Sequence, residues 1–590
     1  VNLHIRYNRG IMRLGALALL AFAFASTARA EGDPTILTYA MSADVDTLDP
    51  DWAYDATSLF AIQQVYEGLV TFDGAAVDRF LPAIASVVPS VANGFQSPDG
   101  LHYRFPLRGG VKFHDGSPMS DADVKYSLMR FMLMDRDGGA SSLLLEPLTG
   151  RRTVKGPDGR PDPAVFELAD AAVSVEGGAL VLRLQKPFAP LLSVLAGYAP
   201  VVSKAVVASH GGWDGTEATW IAAWNVPKET SALYARDGGT GPFQLESWRR
   251  DLKRLTLKRN DAYWQSPAPL AGVTLLTVES PKTRRQLLES GDADVAQVDP
   301  RSLPFFDKVP GAVVDTGLPQ LEADDVILFN ERIDARDNPW IGSGKLDGQG
   351  VTPDFFADAA VRKAFAFAFD YDRFIREGFH GSAVRARGPI PRGMPGYGSI
   401  EQRGLPFSLE EAERALREVR GGTIWANGFL LPMAYPEGDP NRRLACMILG
   451  DGLAKVNPKF RVDCRGIPQT AMLDAMNARR LSAFVYRWIL DYPDPHNAIE
   501  PFLHSTGFFG AALSYSNPRA DAMIEKAAEE EDPNQRKLDY GELQALALYD
   551  VPEIFTVETT GALARRVKVA NWIYNPIEPY GMLYEVTKLR

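Results

Sequence analysis

The stretch "LHYRFPLRGGVKFHDGSPMSDADVKYSLMRFM", residues 101–132, carries three local signals in a row. Residues 101–113 alternate apolar and polar side chains around Gly109-Gly110, the period-two pattern of a hairpin. His114 and Asp115 resemble a base and its orienter, but Gly116-Ser117-Pro118 after them favours a turn. Ser120 then stands where a helix N-cap belongs, with Asp121 and Asp123 in the first turn, where carboxylates meet the positive end of the helix dipole.

Outward from that stretch, strands and helices alternate. Upstream, "TILTYAMSADVDTLDP" reads as a strand entering a loop, and "DATSLFAIQQVYEGLVTFD" as a helix with Leu59, Ile62, Val65 and Tyr66 on one side, followed by a short strand. Downstream, residues 150–165 are a Gly-, Pro- and charge-rich surface loop, two strands follow near 171–176 and 179–185, and the region to about 235, with Trp213, Trp220 and Trp224, is irregular. "TLLTVESPKTRRQLLESGDADVAQV" reads strand, helix, strand, the signature of a mixed α/β sheet.

Beyond Val326 the strand "VILFN" precedes a helix with Thr352 and Pro353 as expected N-cap and first turn. Val361, Ala364, Phe365, Ala368 and Phe369 form its apolar stripe. Helices are expected near 408–419, 440–456 and 469–479, with strands "KFRVDCRGI" and "SAFVYRW", and two more helices begin at Asn517-Pro518 and Asp532-Pro533. The chain closes in strands.

The N-terminus has the form of an export signal. Arg6, Arg9 and Arg13 precede an apolar run from Leu14 to Phe24, and Ala28-Arg29-Ala30 supplies the small residues of a cleavage site, so cleavage is expected after Ala30. Met12 alone would begin a more ordinary signal. The apolar run is short for a span that needs about 20 residues, and no cysteine stands near the cleavage point to take a lipid.

Removing the signal's four arginines from the 63 basic residues leaves 59 against 74 acidic ones, a formal charge of −15. That sign argues against a nucleic-acid partner. The two cysteines, Cys446 and Cys464, lie in a compartment that permits a bridge; a structural disulfide and two buried free thiols are both open. A bridge would join a helix to the strand after it.

Catalytic signatures are missing from the sequence: there is no HExxH or GxSxG, and "GSGK" at 342–345 is followed by Leu346 where a phosphate loop needs a hydroxyl. What stands out is "WILDYPDPHN", residues 488–497, with two carboxylates and a histidine stiffened by Pro493 and Pro495 at the exit of a strand. Strand exits are where α/β sheets commonly build binding sites. An acid–base pair, a metal site formed by Asp491, Asp494 and His496, a recognition loop and a plain turn all fit the residues; Asp494, between prolines, suits a turn or a helix cap.

The segment Leu81–Ser127, "LPAIASVVPS...SPDGLHYRFPLRGGVKFHDGSPMSDADVKYS", resembles the signature of family 5 extracellular solute-binding proteins, the peptide, nickel and related binding components of ABC importers. "TLDP" at 47–50, "YEGL" at 66–69, "GTGPF" at 239–243, "NDAYW" at 260–264, "VRKAFAFAFDYDRF" at 361–374, "GPIPRG" at 388–393 and "YSNPRADAMI" at 515–524 continue the resemblance in order. Residues 135–235 match least and are longer than in typical members.

The resemblance implies an α/β periplasmic binding protein fold, two lobes with mixed sheets joined by a hinge. It places residues 31–325 and 553–590 in lobe one, with an inserted subdomain at about 76–235, and residues 326–552 in lobe two. It implies a monomer that gives its ligand to an inner-membrane permease, with no cofactor and no resident metal. In peptide-binding members a W-x-x-D motif pairs an aspartate with the ligand's α-ammonium group; Trp488-Ile489-Leu490-Asp491 stands there, and Tyr492 and His496 join Asp491 and Trp488 as expected ligand-facing residues. A peptide or a related amine-bearing solute is the expected ligand, with a nickel complex, an opine, a sugar or haem as alternatives on the same fold. A metal-assisted hydrolase or a transport-free sensor remains as a different class.

Overall fold

The computed structural model describes residues 35–398 and 404–589; the expected signal peptide lies outside them. Two seven-stranded mixed sheets organise the chain. In the first, Ile36–Met41 lies between the parallel strands Gly272–Thr277 and Val295–Val298. The helix Pro281–Ser290 connects those two, as the strand–helix–strand reading required. Thr560–Arg566 returns from the C-terminus to pair antiparallel with Val295–Val298 and Ala312–Pro319.

The second sheet centres on Glu322–Phe329, antiparallel to Ala483–Ile489, with Phe429–Pro436 and Phe460–Ile467 parallel beyond it. Successive side chains of a strand point to opposite faces, and here each face has its own core. Ile327 and Phe329 enter one with the helices Ala359–Ala368 and Pro440–Val456, and Val326 and Leu328 enter the other with the helix Pro495–Leu503. The chain leaves the first sheet after Pro319 and returns at Thr560. Val557–Glu558 still belongs to the second sheet, pairing with Asp324. Thr559 ties the two crossings together by donating to Gln320 at 2.8 Å and Glu322 at 2.7 Å.

Two expectations are corrected. The hairpin over 101–113 does not form: His102–Pro106 pairs with Ala179–Arg183, which in turn pairs with Val173–Glu176. Gly110 does turn the chain, at φ 81°, but Val111 and Phe113 beyond it are buried as core rather than paired as a second strand. Thr352 does not cap a helix either. Arg420 takes its hydroxyl as an acceptor, and the cap is Asp358, whose carboxylate accepts from the Ala360 N–H. Ser120 caps Asp121–Leu133 as read, with Asp123 completing a reciprocal capping box.

Cys446 and Cys464 are bridged, with Cα atoms 6.0 Å apart. The bond pins the helix Pro440–Val456 to the strand Phe460–Ile467. Non-reducing peptide mapping should recover the two cysteines in one linked fragment. Replacing both by alanine should lower stability against denaturant by about 3 kcal/mol, because the open chain regains loop freedom; free thiols in exported protein would refute the bridge.

Candidate functional site

The strand Ala483–Ile489 delivers the loop quoted above to the boundary between the halves. Asp494 caps the next helix, accepting from the His496 N–H at 2.8 Å, and its carboxylate also takes two hydrogen bonds from Arg536, at 2.6 and 2.7 Å. Cap and ion pair together fix the loop's far end. Its near end is fixed by Asn497, whose side-chain oxygen accepts from the Asp491 N–H at 2.7 Å while its backbone oxygen accepts from the Trp488 indole at 2.8 Å.

Asp491 is thereby held with its carboxylate facing the other half of the molecule. The Tyr54 hydroxyl donates to it at 2.5 Å, from the loop before the helix Ala56–Val65, and Asn497 Nδ2 lies 3.4 Å from its second oxygen. Both donors are neutral. Among the described residues no Lys, Arg or His forms an ion pair with Asp491, and burial pushes its carboxyl from 3.8 up to about 6, against the pull of the Tyr54 and Asn497 hydrogen bonds. The Tyr54 phenol is likewise raised well above its ordinary value, by burial first and then by the Asp491 charge.

The other expected residues divide. Tyr492 is buried, and both its ring and that of His496 meet the edge of Phe188 across the boundary, at 6.3 and 6.0 Å. Burial lowers the His496 pKa, so the ring is neutral at pH 7, and Nδ1 pairs with the Tyr540 hydroxyl at 3.2 Å. Trp488 is half-buried against Phe508 and Phe509, one residue short of the strand's end at Ile489. Asp491, Asp494 and His496 do not converge. Each has separate partners, and the described residues contain no group of three His, Cys, Asp or Glu placed to hold a metal.

Sequence reading missed Tyr54, Asn497 and Phe188. Tyr54 stands four residues after the "TLDP" block and next to the N-cap Asp55, and only the fold brings it to Asp491. Phe188 lies in the long region that matched least, and nothing local marks it. Conversely, several blocks prove to be framework. Glu67 of "YEGL" accepts from Thr240 of "GTGPF" and from Tyr263 and Trp264 of "NDAYW", at 2.7 to 3.0 Å. His114 is held between Asp237 and the Gly241 carbonyl, while Asp115 accepts from the Ser117 N–H in a turn. Burial works against a charged His114 ring, but the Asp237 hydrogen bond and charge prevail and raise its pKa.

Two α/β halves joined by two adjacent crossings, with a carboxylate of one reached by a hydroxyl of the other, define a two-lobed solute-binding protein. The chain belongs to the bacterial extracellular solute-binding proteins, family 5, whose middle-region model matches residues 86–510. Members of this family bind solutes without catalysing a reaction on them. It is 22% identical over 567 residues to the probable D,D-dipeptide-binding periplasmic protein DdpA of Escherichia coli, covering 95% of this chain and 96% of that one. To the glutathione-binding protein GsiB of Pectobacterium atrosepticum it is 23% identical, covering 91% of each. Its fold superposes on the DppA periplasmic binding protein of Helicobacter pylori, solved with the peptide STSA, at a TM-score of 0.69 and 20% identity, covering 94% of this chain and 98% of that one. Among the described residues no helix is long and apolar enough to cross a membrane.

Proposed function

We propose that this protein captures a short peptide or a related amine-bearing solute between its lobes, in the periplasm, and presents it to the inner-membrane permease of an ABC importer. One lobe comprises the first sheet with the subdomain inserted at about 76–235, and the other the second sheet, with the hinge at the Gln320–Glu322 and Thr559 crossings. The observation that carries the reading is Asp491: a half-buried carboxylate with neutral hydrogen-bond donors and, among the described residues, no cation of its own. A primary ammonium supplies three N–H donors and the missing charge. Trp488, Tyr492 and His496 form the wall around it. Relatives named for D,D-dipeptides and for glutathione support a ligand with a free amine.

Ligand contacting both lobes favours the closed form, so the melting temperature should rise with ligand. A panel of short peptides, opines, sugars and nickel chelates tests the reading; shifts confined to ligands without an amine would end it. Affinity should also depend on pH. The binding form of Asp491 is the carboxylate, so from about pH 7 down through about 6 affinity begins to fall, approaching tenfold per pH unit below that. Above about pH 8 it falls again as an α-ammonium with a pKa near 7.7–8.0 loses its proton. Titration calorimetry from pH 4.5 to 9, over roughly that span of ionisations, reads both limbs, and a flat acid limb would contradict the role of Asp491.

A further inference from the structure

The two halves also meet at Arg152. The helix Ser142–Thr149 ends at Gly150 in the left-handed region, at φ 73°, and the turn leads the chain into a loop anchored on Asp135. That carboxylate accepts from the Ser141 and Thr153 hydroxyls, each at 2.6 Å, and from the Val154 N–H at 2.9 Å. Arg152 is thus presented from a fixed loop. Its Nε faces Glu146 of its own half at 3.1 Å, while Nη1 donates to the Thr506 carbonyl at 3.0 Å and Nη2 to Glu500 at 3.2 Å, both in the second half. A planar fork reaches three acceptors at once, which the point charge of a lysine does not. Further along the same region, the Ala189 N–H donates at 3.1 Å to the carbonyl of Ala528, in the last turn of the helix Pro518–Glu529, where a helix leaves its carbonyls free. Phe188, beside it, is the residue whose ring meets Tyr492 and His496.

Glu500 follows Asn497 by three positions on the helix Pro495–Leu503, so the two side chains are neighbours on its surface, and Asn497 is the residue that seats Asp491. Arg152 therefore grips the helix that fixes the binding carboxylate. We infer that Arg152 is a positioning residue of the cleft and that, with Phe188 and Ala189, it forms a clasp by which the long region 135–235 holds that helix and biases the two halves toward their closed arrangement. This gives a task to the part of the chain that matches the family blocks least. Every contact of the clasp is made by the protein itself, so the inference goes beyond the choice of solute. A two-state closure is shifted only by contacts that differ between its states, and these exist only where the halves meet. The Arg152 side chain is 47% exposed and that of Glu500 18%. Such a pair supplies a modest bias rather than a lock, and neither residue is a core side chain whose loss would unfold the chain.

The test is hydrogen exchange of the Ala189 amide, read by mass spectrometry, together with small-angle scattering of the same ligand-free proteins: wild type, Arg152→Gln, Glu500→Gln, the double variant and Arg183→Gln. Pro187 and Pro190 carry no N–H, so a fragment across them reports Ala189 with few other amides. Exchange that requires the halves to part follows the open fraction. Arg152→Gln should speed Ala189 exchange about fivefold, the scale of a partly exposed ion pair, and raise the radius of gyration. The helix Asp121–Leu133 should keep its protection, which a general loss of stability would not allow. Glu500→Gln should reproduce the change, and the double variant should add little to either, because the two substitutions remove one interaction. Arg183→Gln breaks an ion pair with Glu176 inside the first half and should match wild type in both readouts. Equal exchange and scattering in wild type and Arg152→Gln overturns the clasp. So do effects of Arg152→Gln and Glu500→Gln that simply add, an equal effect from Arg183→Gln, or loss of protection in Asp121–Leu133 as large as at Ala189. No readout contains a ligand, so each result leaves the amine reading of Asp491 to its own tests.

Discussion

Asp491→Asn is expected to weaken binding of a free-amine peptide by about 30-fold to several-thousand-fold, the range that follows when a charge loses its partner inside a closed interface. Asparagine keeps the shape, and its one amide oxygen can still accept from Tyr54, so the lobes still meet; the charge is gone, together with the longer hydrogen bond from Asn497 Nδ2 to the second oxygen. Stability should move the other way. With its carboxyl raised from 3.8 to about 6, Asp491 contributes stability that is fully present below about pH 4 and lost as pH rises through about 6. At neutral pH the wild type therefore bears a cost on the order of 3 kcal/mol for a half-buried charge, and the variant is relieved of it. Ligand-free Asp491→Asn should melt higher than wild type at pH 7.5 and show little further rise with peptide. A residue kept only for the fold would show a lower melting temperature and unchanged affinity.

The second large effect lies three residues away and has the opposite character. Asp494 and Arg536 form an ion pair with about a tenth of each side chain exposed. Removing one member of such a pair leaves the other charge desolvated and alone, which costs about 3–5 kcal/mol. Asp494→Ala should incur that loss and a further ~1 kcal/mol for the missing helix cap. Asp494→Asn retains a side chain able to cap and should incur mainly the ionic part. Pairing it with Arg536→Met should recover most of the loss, since no unpaired buried charge is then left behind. Denaturant midpoints of the four proteins read this directly, and affinity measured where each is folded should fall far less than in Asp491→Asn.

The contrast shows what a sequence can disclose. Asp494 was legible as a turn or cap residue because both roles are local, and the structure makes it the cap of the helix after it. Its partner Arg536, 42 residues on, was not. The same limit explains the lost hairpin. Alternation in 101–113 correctly signalled a strand, but the partner of His102–Pro106 is a strand some 75 residues later, and Gly109-Gly110 turns the chain into the core. At Thr352 the local cap signal misled: its hydroxyl accepts from Arg420, and the helix begins at Ala359, capped by Asp358. The candidate site was half readable. Trp488, Asp491, Tyr492 and His496 lie within nine consecutive residues running from a strand end into a helix start, whereas Tyr54 and Phe188 come from two segments of the first half that only the fold assembles.

Most direct for Asp491 as the amine anchor is a cycle in which Ala-Phe and N-acetyl-Ala-Phe are titrated into wild type and Asp491→Asn. Acetylation and substitution remove the same interaction, so each should abolish most of the wild-type affinity and the two together should cost little more than either alone. Undiminished wild-type affinity for the acetylated peptide, or losses that simply add, would mean that the carboxylate supports the loop and does not hold the ligand.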